Sequence, residues 1–398
     1  MKRKYIPLAI IGFLIVFVLG YSLGFGAGKV DNFLRPSLTK EIFNKDKGKP
    51  EALDFALFWD AWNMLHQKYV GTLDDSKLIY GAIQGMVAGT GDPYSSFLTP
   101  DEAKRFAEDL SGSFSGIGVE LGIRNSQLTI IAPLAGSPAE RAGLKAKDAI
   151  LKIDGKDTTE MSFDEAVAAI RGPEGTKVKL TIERAETNNF EVEITRATIK
   201  VESVKYRVVN GNLGVIEVSQ FGSDTSSLFS SIADRVQREK PKGLIIDLRN
   251  NPGGYLDTSV ELASYFVKTG NVVVYEQSKN GDLKEYKAKD LAKLSGIPLV
   301  VLTNGGSASA SEIFAGAIKD LGLGKLVGEK TFGKGSVQEL DDMPGGSEIR
   351  ITIAHWLTPK KSEINGKGID PDFPITRSQA DEDAGRDPQM DKAIELLK

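Results

Sequence analysis

Residues 297–322 read IPLVVLTNGGSASASEIFAGAIKDLG. An apolar run, a turn of glycines and other small residues, and then a helical apolar pattern describe a strand that passes through a tight junction into a helix. The same order appears upstream, where the strand-like GLIIDLR (243–249) precedes the helical YLDTSVELASYFV (255–267). Downstream, KLVGEK (325–330) and EIRITIAHW (348–356) add strand-like runs. Such alternation predicts an α/β domain with buried parallel strands over 200–376.

Farther toward the N-terminus, 113–199 changes to short alternating strands, GVELGI, QLTIIAPL, DAILKIDG, KVKLTIER and FEVEITR, with one amphipathic helix in SFDEAVAAIRG. A compact β-rich module is expected from that pattern. Residues 51–112 carry helical periodicity, in Phe55, Phe58, Trp62 and Leu65 and again in Leu78, Ile79, Ala82 and Met86. Thr99 is the expected N-cap of a helix that begins near Pro100. Residues 29–50 are polar, Lys-rich and interrupted by prolines, as in a linker. Before them, Tyr5 to about Gly28 is an uncharged apolar run behind Met-Lys-Arg-Lys, long enough to cross a hydrocarbon core of ~30 Å as a helix. We read 1–28 as a membrane anchor in preference to a cleaved signal segment, since Gly26-Ala27-Gly28 is a weak exit site. The charged tail, 377–398, ends in a helical pattern and is expected to be solvated or to pack at an edge.

Composition limits the chemistry. The chain has 398 residues, no cysteine and only two histidines, His66 and His355, so thiol catalysis and zinc–thiolate sites are excluded. A formal charge of −4 offers no electrostatic reason to expect nucleic acid as a partner, and no metal or organic cofactor is indicated.

A strand-to-helix junction exposes side chains and aims backbone N–H groups at one point, so Ser307, Ser309 and Ser311 are candidate nucleophiles. Lys334 lies 25 residues beyond Ser309, between Gly333 and Gly335. A lysine with the ordinary pKa of about 10.4 is neutral in only about one molecule in two thousand at pH 7. Service as a base therefore demands roughly 3–5 kcal/mol of desolvation or of repulsion by a neighbouring positive charge.

The stretches GSFSGIGVEL and APLAGSPAERAGLKAKDAILKIDG resemble a PDZ domain. The resemblance implies that the backbone at Gly116, Ile117, Gly118 and Val119 cradles a peptide's terminal carboxylate, with Val167 and Ile170 against the last side chains. Behind that module, DLRNNPGG (247–254), NGGSASASEI (304–313) and GEKTFGKGSVQ (328–338) stand in the order found in the C-terminal processing peptidases, and the chain resembles that S41-type, tail-specific protease family. The resemblance implies a serine endopeptidase core of ClpP/crotonase type. It also implies Ser309 as nucleophile, Lys334 as general base, Gln338 as the group that orients the lysine, and the amides of Gly254 and Ala310 as the oxyanion hole. The choice of Ser309 over its neighbours rests on the family's spacing to the lysine. Implied partners are proteins with accessible apolar C-termini, from a catalytic body on the extracytoplasmic side of the membrane, with self-association into a homo-oligomer left open.

Three other readings compete. GEKTFGKGS nearly matches a phosphate-binding loop, yet SVQELDDMPGGSEIRITIA, from Ser336, reads as strand and turn where that loop needs a helix. A Ser/His/Asp hydrolase would need His66 or His355 as its base. A membrane-tethered PDZ adaptor with an inactive protease fold is the alternative from a different class.

Overall fold

The computed structural model describes residues 54–124, 127–184, 189–378, 380–381 and 384–398. The expected anchor and linker, 1–50, lie outside the described residues, and among those described no helix is long and apolar enough to cross a membrane. The described residues fall into two compact units that divide between Asp74 and Asp75. In the first, helix α1 (Ala56–Lys68) stacks Trp62 on His66 one turn later and buries none of its residues.

The second unit opens with α2 (Asp75–Ala88), β1 (Ser96–Leu98) and α3 (Pro100–Ser111). Thr99 caps α3 as expected, in a reciprocal pair with Glu102, and Gly112 ends it in the left-handed region. Next come β2 (Ser113–Gly116), β3 (Val119–Arg124), β4 (Gln127–Pro133), α4 (Pro138–Arg141), β5 (Ala149–Ile153), β6 (Lys156–Asp157), α5 (Phe163–Ile170), β7 (Lys177–Glu183), β8 (Phe190–Thr195) and β9 (Ala197–Lys200). Strands β3-β4-β5-β7-β8 form an antiparallel sheet with β6 on β5, while β2 pairs with β9. Along β7, Val178, Leu180 and Ile182 point inward at alternate positions to join Ile117, Ile130, Ile150 and Ile153 in a separate core. Among the described residues β3 is bonded only to β4, which leaves its outer backbone edge open.

The remaining elements are β10 (Val204–Val209), β11 (Leu213–Val218), α6 (Thr225–Glu239), β12 (Gly243–Asp247), α7 (Leu256–Ser264), β13 (Val272–Ser278), β14 (Leu283–Lys287), β15 (Leu299–Thr303), α8 (Ala310–Asp320), β16 (Lys325–Gly328), β17 (Ser336–Met343), β18 (Ser347–Leu357), β19 (Phe373–Pro374) and α9 (Pro388–Leu396). One sheet runs β10-β11-β12-β15-β16-β19, parallel from β11 onward. Ile216, Leu244, Ile246 and Val301 face Phe229, Phe266 and Phe314 in the main core, whereas Val215, Ile245, Val300 and Leu302 face Met390, Ala393 and Ile394 of α9. The described residues of the tail ahead of α9 are largely exposed, as expected, but α9 itself is neither solvated nor at an edge: it covers the second face of the sheet, because strands apolar on both sides need a layer on each. A second sheet is centred on β18, which takes β1 and β13 along one edge and β17 along the other.

Candidate active site

Strand β15 is buried along its whole length and delivers the chain to Asn304-Gly305-Gly306 and the three serines. Ser307 is buried, and its hydroxyl donates to the Leu248 carbonyl at 2.7 Å. Ser311 is buried too and donates to the Asn251 carbonyl at 2.9 Å. These two pin the junction to the loop after β12, which leaves Ser309 as the partly exposed serine of the three. Its φ is 54°, in the region that non-glycine residues avoid at a cost of about 1–3 kcal/mol, so the surrounding bonds hold a strained elbow. Ala310 then starts α8, and its N–H, in the first turn, has no hydrogen-bond partner among the described residues.

The loop after β12 presses against this elbow. Asn251, fully buried, donates through Nδ2 to the Val218 carbonyl at 2.7 Å and accepts the Gly253 N–H at 2.9 Å. A Cβ on Gly253 would meet the Ser309 Cβ at 2.8 Å and the Ala310 nitrogen at 3.0 Å, so only glycine permits this approach. At Gly254, φ is 139° and a Cβ would lie 2.3 Å from the Phe221 carbonyl oxygen. Phe221 donates to the Gly253 carbonyl and accepts from the Tyr255 N–H, both at 2.8 Å. That parallel bridge turns the Gly254 N–H away from Phe221, and among the described residues it too has no partner. Two unpartnered amides thus come from the two loops in contact at Ser309.

Lys334 arrives on a loop held against 364–368. A Cβ on Gly335 would strike the Asn365 nitrogen at 2.2 Å, and Gly333 accepts the Gly366 N–H at 2.9 Å. Glu312, the third residue of α8 and completely buried, joins this loop to the serine. One of its oxygens accepts from the Ser309 N–H at 2.9 Å and the Lys334 N–H at 2.8 Å, the other from the Gly333 N–H at 2.7 Å and the Thr331 hydroxyl at 2.5 Å. Burial pushes the Glu312 carboxyl up from its ordinary pKa, while the four donors pull it down. Two amides bonded to one oxygen are at most roughly 6 Å apart, so Ser309 and Lys334 share one point of the fold. Sequence reasoning misses Glu312, although Ser-x-x-Glu at a helix start is the spacing of a capping box.

The Lys334 amine is half-buried, 5.4 Å from the centre of the Tyr94 ring. Burial first and the like charge of Arg350 second push its pKa below the usual lysine range, against the pull of Glu312. Gln338 donates through Nε2 to the Tyr94 carbonyl, and no hydrogen bond joins it to the lysine. Tyr94 and Arg350 are further parts of the site that carry no sequence signal, since both reach it across the β18 sheet.

Of the two histidines, His355 lies on β18 opposite Ser336 with a buried, unbonded Nδ1, and His66 belongs to the first unit. The glycine–lysine loop opens into strand β17 and not into a helix, which removes the phosphate-loop reading. In the β-rich module, Gly116 to Val119 form the connection from β2 to β3 beside the open edge. Val167 is partly exposed, but Ile117 and Ile170 are buried in that module's core and present little surface to a ligand.

Residues 212–375 match the model for peptidase family S41, 129–184 that for a PDZ domain, and 30–102 that for the N-terminal domain of the activating protease CtpB. The carboxy-terminal processing protease CtpA of Bacillus subtilis (strain 168) is 40% identical over 311 residues, spanning 78% of this chain and 66% of that protein. A probable CtpA-like serine protease of Staphylococcus aureus (strain COL) is 41% identical over 317 residues, 79% of this chain and 64% of that protein. The chain thus spans slightly less than two thirds of these relatives' lengths. Among solved structures, the photosystem II D1 C-terminal processing protease superposes with a TM-score of 0.53 at 29% identity, covering 81% of this chain and 87% of that one. A putative S41 protease from Bacteroides fragilis shares the fold at 15% identity with a TM-score of 0.55, covering 87% of this chain and 98% of that one.

Proposed function

Since the chain belongs to the C-terminal processing proteases of peptidase family S41, we propose that it is a serine endopeptidase that cuts proteins near their C-termini. Lys334 Nζ takes the Ser309 hydroxyl proton, and the alkoxide attacks the scissile carbonyl carbon. The N–H groups of Gly254 and Ala310 hold the resulting oxyanion, and each such donor typically contributes about a hundred- to a thousand-fold in rate. As the tetrahedral intermediate collapses, the C–N bond breaks and the leaving amine takes the proton from the Lys334 ammonium. Water, deprotonated by the Lys334 amine, then attacks the acyl-enzyme; the ester C–O bond breaks, Ser309 regains its proton from the lysine, and the second product leaves.

One observation carries this reading: a single buried carboxylate oxygen accepts the backbone N–H of both Ser309 and Lys334. Gln338 acts on the lysine indirectly in this arrangement, by holding the Tyr94 carbonyl and with it the ring beneath the amine. The β2–β3 connection and the open β3 edge would receive the substrate's C-terminal strand, its carboxylate on the amides around Gly116 to Val119. The uncharged run from Tyr5 to about Gly28 supports a membrane anchor, and the extracytoplasmic placement of the catalytic body rests on the family resemblance alone. The test is cleavage of an unstructured protein with an apolar tail by the parent and by Ser309→Ala. Loss of cleavage in the variant is expected, whereas equal binding without cleavage by either would support the adaptor reading.

A further inference from the structure

Arg350 lies near the middle of β18 with strands on both sides, opposite Ser96 of β1 and Leu340 of β17. Residues paired across strands share a face, so Arg350 stands on the same side as Ser96 and, two residues along, Thr352 and its partner Gln338. The turn before β1 brings Tyr94 to this place, where its carbonyl takes Gln338 and its ring lies under the Lys334 amine. The guanidinium thus lies on the face of β18 that carries Gln338, where its charge acts on the lysine.

Among the described residues Arg350 is set apart by lacking both a counter-ion and a hydrogen bond at its Nε; the buried Arg196 also has no carboxylate partner, but donates to the carbonyls of Ala169, Ile170 and Lys177. Arg249, another inward-facing arginine, is paired with Asp247 at 2.7 Å and Asp387 at 2.9 Å. Arg350 has no carboxylate within ion-pair distance among the described residues, and its Nε is buried without a hydrogen bond. Its contact is a neutral one, the face of Phe106 on α3 at 5.5 Å. Asp92 acts on it from farther away, with its oxygens taken by the Tyr94 N–H at 3.1 Å and the Ser95 hydroxyl at 2.6 Å. An aromatic face holds a guanidinium without cancelling its charge. Burial pulls the Arg350 guanidinium below the usual arginine range, partly offset by Asp92, but an arginine starts so far above a lysine that it keeps its charge where a lysine of lowered pKa titrates.

We propose that Arg350 is a positioning residue for the lysine base, a positive charge without an ion-pair partner set near the lysine so that the Lys334 amine sheds its proton more readily and can accept the serine proton. The proposal rests on the reading of Lys334 as the base. The groups that face the amine are Glu312 from α8 and the Tyr94 ring from the turn before β1, which both favour its charged form, and Arg350 from β18, which opposes it. Burial alone would have to outweigh the first two. The like charge adds to burial, the larger cause, and supplies the second of the two means by which a lysine is held neutral.

The experiment is the pH dependence of kcat/KM on an unstructured protein with an apolar tail. For the parent, activity rises with pH as Lys334 loses its proton. In Arg350→Gln that acid limb moves to higher pH by roughly one unit, so activity falls about ten-fold below it and recovers toward the parental value above it. Arg350→Lys, which keeps a charge, holds the limb near its parental place. A loss equal at all pH values, or an unmoved limb, overturns the proposal. Independently of catalysis, the carbon-13 resonance of Lys334 Cε is titrated in Ser309→Ala, where the expected midpoint is well below that of a free lysine and rises when Arg350→Gln is added. A midpoint in Ser309→Ala equal to that of a free lysine overturns the proposal even if Arg350→Gln fails to fold. Failure of the dyad reading looks different, since Lys334→Ala would then still cleave.

Discussion

Lys334 is held where its charge is unwelcome, and that has a consequence for stability as well as for chemistry. Burial and Arg350 lower its pKa in the folded state, so between that value and the ordinary 10.5 the unfolded chain binds more protons than the folded one. Stability therefore rises with pH across this window, and below it the folded protein carries the full cost of the buried ammonium. Replacing the amine by an apolar group of similar length removes that cost. Lys334→Met is expected to be inactive yet more stable than the parent at neutral pH, by an increment that shrinks as pH approaches 10.5. Urea midpoints of the two proteins at several pH values check this, and a variant less stable than the parent throughout would mean that the ammonium's contacts with Tyr94 and Glu312 outweigh its desolvation. The same trade runs through Ser309, whose left-handed backbone is strained and persists because Ser307, Ser311 and Glu312 over-determine the junction.

The strands and helices that carry these residues differ in how plainly they can be read. Strand β15 and helix α8 are legible because one is an unbroken apolar run and the other has helical periodicity, with small residues marking the turn between them. Strands β3, β4, β5, β7 and β8 are legible through period-two alternation. Strand β1 is hidden within a turn-rich stretch, since three residues show no period, and only its register against β18 brings Tyr94 to the lysine. Of the three serines, sequence can name Ser309 only by resemblance, because the bonds that bury Ser307 and Ser311 go to Leu248 and Asn251, about sixty residues upstream. The tail misleads for a similar reason: its charges dominate its composition, while the few apolar residues of α9 all lie on one face. That face closes the sheet that ends at the oxyanion loop, and Asp387 and Gln389 just before and within α9 bond Arg249, at 2.9 and 3.0 Å, two residues after β12. Ile394→Ala should therefore cost about 2–4 kcal/mol of stability, as other buried large-to-small changes do. Denaturant unfolding measures it, and a loss under about 0.5 kcal/mol, the size of an ordinary surface change, would show that α9 is only loosely laid on the sheet.

A binding module placed ahead of the catalytic sheet invites communication between them, and helix α3 is the element that touches both. Its Asp109 accepts from Arg171, at the end of α5, at 2.7 Å, and its Phe106 faces Arg350 beside the lysine pocket. A shift of the β-rich module that moved α3 would thus reach the charge that acts on Lys334. If the module did no more than tether substrate, blocking a substrate's C-terminal carboxylate would raise KM and leave kcat alone. If its occupancy also sets the pocket, kcat must fall as well. We expect a C-terminally amidated substrate to be cut about ten-fold less efficiently than the same chain with a free terminus, the worth of one or two charge-assisted hydrogen bonds. We also expect kcat to drop at saturation, and a short apolar peptide with a free carboxylate, added in trans, to speed cleavage of the amidated substrate. Equal kcat for both substrates together with simple inhibition by the added peptide would reduce the module to a tether, and would leave the contacts of α3 as packing alone.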